Sequence, residues 1–307
     1  MRLGHFDLNL FVTLDALLET RSISRAAERL HIGASATSSA LGRLREHFKD
    51  ELLVQVGRRM ELTPLAETLR QPVRDVLLRS QATLATRSDF DPSRAMRRFV
   101  INASDYATTV LLAPLAAQLE QVAPGVTLDI VSLGNYNLEQ LERGEVDLAI
   151  YPERNASPDH PHQPVFEDRF CCLVWQDHVL PPEGLSFAHY MRSRHVTAQF
   201  GDQRIASFES WFTSTHGMAR DIAITASSFN ALPALVVGTQ RIVTIQHRLA
   251  QLYASLMPLR MLPTPFEMPT LRLVMQWTHH QEHDMAHAWL RQQLLETAAA
   301  LGAPGGD

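Results

Sequence analysis

Cysteine is nearly absent: Cys171 and Cys172, adjacent in FCCLVW, are the only two in 307 residues. Neighbouring cysteines bridge only through a strained, rare ring, so no disulfide framework is expected and a reducing compartment fits. A thiol switch is poorly supported too, because FCCLVW reads as a buried strand without the exposure or basic setting of a reactive thiol. No apolar run approaches the ~18 residues of a membrane span. Asp7, Asp15 and Glu19 stand where a signal peptide would be basic and then apolar, so the expectation is a soluble, cytoplasmic chain with no membrane partner. Also missing are a nucleophile elbow, a phosphate-binding glycine loop and a dinucleotide fingerprint. His279, His283 and His287 are spaced by four and could chelate a metal from one helical face. No Cys or Glu stands at catalytic-zinc spacing, however, so neither metal nor cofactor is expected. An enzyme is thereby the weaker reading.

What is present is unevenly charged. Residues 1 to 87 carry 13 basic and 10 acidic side chains, whereas the remainder carries 15 and 23, so a mildly basic segment precedes an acidic one. Within residues 21 to 59 there are eight basic groups against four acidic, enough to position a protein on the phosphates of a duplex.

The same stretch has helical periodicity. Leu8, Phe11, Leu14 and Leu18 predict an amphipathic helix from Asp7 to Thr20. Ser24 is a candidate N-cap for a second helix, Arg25 to Leu30, whose Ala26 and Ala27 are small enough for a close crossing. His31-Ile32-Gly33 is a short turn, and a third helix runs from Ala34 to about Phe48 with Leu41, Leu44 and Phe48 inward. A β-hairpin with Gly57-Arg58-Arg59 at its tip comes next. This is the layout of a winged helix-turn-helix. Small hydroxyls flanked by arginines suit a helix in a major groove, so Ser35, Thr37, Ser38 and Ser39 are candidate base or phosphate contacts. Arg25, Arg43, Arg45, Arg58 and Arg59 are candidate contacts to phosphates or the minor groove.

Leu62, Leu65, Leu69, Val73, Val76, Leu77 and Leu84 then recur at threes and fours, predicting a linker helix with a short self-pairing seam, interrupted at Pro72. SDFDPSR, around Asp89 to Arg94, is the expected hinge. From Phe99 onward strands alternate with helices: FVINAS, Thr109 to Val122, VTLDIVSL, Leu138 to Arg143 and VDLAIY. A second set comprises FCCLVW, HVTAQF, DIAITA and RIVTI, with helices at Phe208 to Thr215 and Phe229 to Val237. LRLVMQW and a helix from about Asp284 to Leu301 close the chain. The expected class is α/β overall: an all-α winged helix-turn-helix over 1–64, a linker helix over 65–88, and two lobes around mostly parallel sheets over 89–307. Lobe I would take about 95–165 and 269–303, and lobe II about 166–268. Ligands of such sheets bind beyond the carboxyl ends of the strands.

AAERLH, GRLREHFKDELLVQ and ELTP resemble the winged helix-turn-helix of LysR-type transcriptional regulators, and GEVDLAI resembles the hallmark of that family's effector domain. The match covers nearly the whole chain. Pro72-Val73-Arg74 and WTHHQEHDMAHAWLR, Trp277 to Arg291, are similar to the subgroup of nodulation regulators and salicylate- or nitrotoluene-responsive activators. Trp277, Asp284, His287, Trp289, Leu290 and Arg291 fit that subgroup's pattern, while Thr278 and Met285 depart from it. Relatives begin the recognition helix with Ser-Gln-Pro-Ala, where this chain has Gly33-Ala34-Ser35-Ala36. Losing the bidentate amide forfeits on the order of 1–3 kcal/mol of discrimination at one base pair, so a different or looser half-site is expected.

The resemblance implies double-stranded operator DNA, a small organic effector held between two lobes like those of type 2 periplasmic binding proteins, a homodimer or homotetramer, and contact with RNA polymerase. That scaffold alone would equally suit a small-molecule binder or an enzyme; the N-terminal 87 residues favour the regulator. Strand-end geometry nominates Ser104, Asp105, Tyr106, Asn135, Tyr136 and Asn137 on one lobe and Phe200, Ser228 and Phe229 on the other, with His160 as an added wall for an aromatic effector. Asp105, if it points inward, argues against a carboxylate ligand. Ser228 falls where salicylate-type sensors can carry a ligand-contacting histidine.

Overall fold

The computed structural model describes residues 6–57, 59–85, 90–132, 138–200 and 208–302. The chain divides into two compact units, Met1–Thr86 and Arg87–Asp307.

In the first unit, α1 (Asn9–Thr20), α2 (Ile23–Leu30) and α3 (Ala34–Phe48) pack around Leu10, Leu14, Leu17, Leu18, Ala26, Leu41 and Leu44. Leu8, expected in the buried stripe, is exposed, and Leu10 and Leu17 fill the core instead. The N-cap of α2 is Ser22 rather than Ser24: its Oγ accepts the Arg25 N–H. All three helices end on a non-glycine residue in the left-handed region, Arg21, His31 and Lys49, with φ of 49°, 54° and 52°. No glycine announces these ends, but each cap N–H returns to a carbonyl of its own helix. The wing pairs β1 (Leu53–Val56) with β2 (Arg59–Leu62), Leu53 opposite Leu62 and Val56 opposite Arg59. Asp50 ties the end of α3 to both flanks of the wing, its Oδ1 accepting from Leu52 N and Thr63 Oγ1. Thr63 Oγ1 in turn accepts the Ala66 N–H, capping α4 (Pro64–Ala85) with proline at its first position, which explains the pattern ELTP.

Helix α4 runs on through Pro72. Its apolar stripe is largely consumed within its own unit. Val73 is buried, Leu69 and Leu77 pack beside it, and Arg74 pairs with Asp15 of α1 at 2.6 Å. A self-pairing seam therefore keeps fewer residues than the sequence suggests, Val76 among them.

Among the described residues the second unit holds two five-stranded sheets. Its elements are β3 (Arg97–Ala103), α5 (Asp105–Ala107), a π turn at Thr108–Leu112, α6 (Ala113–Val122), β4 (Val126–Ser132), α7 (Leu138–Glu142), β5 (Leu148–Pro152), β6 (His162–Asp168), β7 (Phe170–Trp175), α8 (Phe187–Arg192), β8 (Arg194–Ala198), α9 (Phe208–His216), β9 (Asp221–Ala226), β10 (Ile242–Gln246), α10 (His247–Leu256), β11 (Leu259–Leu262), β12 (Leu271–Gln276) and α11 (Met285–Ala300). The sheets run β4-β3-β5-β12-β6 and β11-β7-β10-β8-β9. In each sheet four strands share one direction and one opposes them: β12 lies antiparallel between β5 and β6, and β7 antiparallel between β10 and β11. The opposing strand is in each case the one by which the chain enters from the other sheet, β12 in the first and β7 in the second. The expected helix at Phe229–Val237 is a set of turns with one 3-10 turn at Pro233–Leu235, because Pro233 lacks an N–H and would clash with the carbonyl four residues back. The chain passes from first to second sheet through the single residue Arg169, between β6 and β7.

Candidate nucleic-acid interface and effector cleft

Ser35, Ser38, Ser39 and Arg43 lie exposed on α3, with Ala34, Ala36 and Gly42 among them. A methyl group built at Gly42 would meet nothing within 4 Å, so this stretch of the helix is smooth and open. Thr37 is fully buried and its Oγ1 donates to Gly33 O, which removes it from any groove contact. Arg45 is also committed: its Nε and Nη2 donate to the carbonyls of Glu51 and Leu53, bracing the base of the wing. Arg43 pairs with Asp7 at 3.3 Å with more than half its side chain exposed, a weak pair that a phosphate can replace. Arg25 donates to Thr20 O from an exposed position, and Arg59 is exposed on the wing. Arg58 lies outside the described residues, as do Asn135, Tyr136 and Asn137.

The effector candidates divide. Ser104 caps α5, accepting the Ala107 N–H on its Oγ, so that N–H is occupied rather than free for an anion. Tyr106 is buried, and its hydroxyl donates to Asp168 Oδ2 at 2.6 Å. Burial and the Asp168 charge push the phenol well above its usual range. Asp168, at the crossing from β6 to β7, also accepts from the backbone of Arg169 and Arg248, so Tyr106 is a tie at the inter-sheet crossing. Asp105 spans the two lobes: its Oδ2 accepts from Ser228 Oγ at 2.7 Å and Asn230 N at 2.8 Å. Phe200 and Phe229 lie beside this bridge with ring centroids 4.9 Å apart, and Phe229 meets the Tyr106 ring edge-on. His160 stands elsewhere, against Glu142 at 3.3 Å and beside His279, all on the first lobe. Asn230 and Thr109, which complete the inter-lobe bridge, were not among the sequence candidates. Their only signal is position, directly after Ser228-Phe229 and within the turn after Asp105.

Two stretches match known families, the first "Bacterial regulatory helix-turn-helix protein, lysR family" over residues 8–67 and the second "LysR substrate binding domain" over 92–299. The chain is a LysR-type transcriptional regulator. It is 38% identical over 304 residues to nodulation protein D 2 of Rhizobium tropici, covering 99% of this chain and 96% of that one. It is 37% identical over 305 residues to nodulation protein D 1 of Mesorhizobium japonicum, covering 99% and 97%. Among solved structures it resembles the probable transcriptional regulator PA0477 from Pseudomonas aeruginosa, with a TM-score of 0.64, 31% identity and coverage of 95% and 97%. It shares its fold with ArgP from Mycobacterium tuberculosis, with a TM-score of 0.68, 18% identity and coverage of 99% and 100%.

The motifs that mark this LysR-type chain resolve into one knot away from the cleft. In GEVDLAI, Asp147 accepts from Val100 N and from Gln281 Nε2, while its carbonyl accepts from His287 Nε2. Asp284 caps α11 through His287 N and pairs with Arg97 at 2.7 Å. Arg291 lies over the Trp277 ring at 4.3 Å and donates to His287 Nδ1 at 2.7 Å. Burial and the neighbouring Arg291 bring His287 down to about 4. His279 belongs to a 3-10 turn and His287 to α11, so the histidines do not form one helical stripe. A second buried set occupies the other lobe: Arg220 pairs with Glu209, donates to Tyr190 Oη and lies over the Phe208 ring. Burial and Arg220 hold the adjacent His195 at about 4. Cys171 and Cys172 are free and buried, and burial pushes both up to about 12.

Proposed function

We propose that this LysR-type regulator binds operator DNA through Ser35, Ser38, Ser39, Arg43 and Arg59 and is switched by a small aromatic effector between its two lobes. The observation that carries the effector reading is the Phe200–Phe229 ring pair beside the Asp105–Ser228–Asn230 bridge, where apolar faces and polar anchors from both lobes converge. An effector that fits one lobe arrangement better than another shifts the population between them; a switch from 1:99 to 99:1 takes about 5.5 kcal/mol of differential binding. The chain works in the cytoplasm as a homodimer or homotetramer, pairing in part through the exposed remainder of α4 and acting on RNA polymerase at the promoter. Nodulation protein D relatives along the whole chain support the regulator reading. The test is a thermal-shift screen of the full chain against phenols, hydroquinones and salicylates, with and without operator DNA. Stabilisation by at least one aromatic compound, altered by DNA, is the expected result, and a flat response across the panel removes the aromatic effector.

A further inference from the structure

Building on the reading of the cleft as an effector site, we infer that Asp105 determines its specificity: it admits effectors presenting an uncharged hydrogen-bond donor and rejects those presenting a carboxylate. Asp105 Oδ2 is satisfied by Ser228 Oγ and Asn230 N, whereas Oδ1 is buried and has no hydrogen-bond partner. The Asn230 amide supplies a second such atom. Its Nδ2 donates to Asp105 O at 3.4 Å and to Thr109 Oγ1 at 2.8 Å. The Asp105 carbonyl can only accept, so the amide orientation is set, and Asn230 Oδ1 is a buried acceptor, also without a partner. The Asp105 carboxylate and the Asn230 amide therefore each offer an unpaired acceptor, and neither has a donor to spare. The bridge has no Arg, Lys or His as a hydrogen-bond partner of Asp105 or Asn230 among the described residues.

A buried acceptor left unpaired disfavours the arrangement that contains it, and a ligand that pairs with it favours that arrangement. A phenolic hydroxyl entering between Asp105 and Asn230 brings a proton to these two unpaired acceptors, while its ring lies on the side of Phe229 and Phe200. A carboxylate entering the same place brings more acceptors and a second negative charge, and among the described residues no cation is hydrogen-bonded to the Asp105 carboxylate to offset it.

The test titrates the full chain with 2,3-dihydroxynaphthalene and with 2-naphthoate, matched in ring size, and repeats both on Asp105→Asn and Ser228→Ala. The wild type should bind the diol at least about tenfold more tightly than the naphthoate. Asp105→Asn, isosteric but uncharged, should collapse that ratio chiefly by gaining naphthoate affinity. Ser228→Ala, which keeps the charge, should retain the preference. Equal binding of the two probes by the wild type, tighter naphthoate binding, or an unchanged ratio in Asp105→Asn overturns the role of Asp105 and leaves the aromatic cleft standing. Failure of both probes to bind a cooperatively folded wild type overturns the aromatic cleft, and the inference with it. The wild-type ratio decides even if a variant does not fold.

Discussion

Acidification from pH 7 to pH 5 should cost the effector-binding unit about 3–4 kcal/mol through His195 and His287 alone. Each sits in the same chemical vice. Nε2 of His287 faces the Asp147 carbonyl and Nε2 of His195 the Tyr190 carbonyl, so Nε2 carries the proton; Nδ1 then accepts from Arg291 or Arg220. Protonation would set a cation against an arginine in a fully buried site, which is why both are held at about 4. A depressed histidine stabilises the fold above its unfolded value of about 6.5, and that contribution is lost as pH falls toward 4. At pH 5 the unfolded imidazole is favoured by proton binding about 30-fold over the folded one, roughly 2 kcal/mol, against a small fraction of that at pH 7. Neither site is solvent-exposed, so no screening discount applies. The assay is urea unfolding of the full chain followed by tryptophan fluorescence, which is selective because Trp175, Trp211, Trp277 and Trp289 all lie in the second unit. Glutamine keeps a donor and an acceptor without titrating. His287→Gln should reduce the loss by about 2 kcal/mol, and the double His195→Gln/His287→Gln variant by about 3–4 kcal/mol. Asp147, which burial raises, His178 and His247 titrate in every variant, so the difference between variants is the readout. If the double variant loses as much stability between pH 7 and 5 as the wild type, the two histidines are not the acid-sensitive groups.

Gly42→Ala should stabilise the free protein by about 0.5–1 kcal/mol, since the added methyl meets nothing, yet lower operator affinity if α3 lies in the groove on that face. Thermal melts and gel shifts moving in opposite directions are the signature; affinity unchanged or raised argues against it. Asp284→Ala removes the α11 cap and the Arg97 pair, and should destabilise by about 1–2 kcal/mol in urea, with Asp284→Asn recovering the cap share. Arg220→Met leaves Glu209 and Tyr190 without their buried partner, and a loss of about 3 kcal/mol in the same assay is expected; a loss below about 1 kcal/mol would mean that the pair is dispensable.

Much of this architecture can be read from residue order, because periodicity and turn chemistry act locally. α3 follows from Leu41 and Leu44, the wing from residues around Gly57, and the final helix from Asp284. What escapes is decided by distant partners. Tyr106 looks like a ligand contact until Asp168, 62 positions away, claims its hydroxyl, and Arg45 looks like a phosphate contact until the wing carbonyls take it. α8 is only six residues long, too short for periodicity to declare. The one opposing strand of each sheet depends on where β12 and β7 insert, which no local pattern encodes. In the cleft, Asp105, Ser228 and Phe229 stand out by strand-end position, whereas Asn230 and Thr109 become visible only when the lobes meet.

The left-handed cap that ends α3 has a practical side. Lys49, exposed there, is the chain's single lysine among 28 basic residues, and it therefore carries the only side-chain amine. With the α-amino terminus blocked, an amine-reactive fluorophore would mark one defined spot, roughly 20 Å along the helix from Ser35 at 1.5 Å per residue. Docking of that helix on a duplex could then be followed by anisotropy without introducing a cysteine or altering a residue.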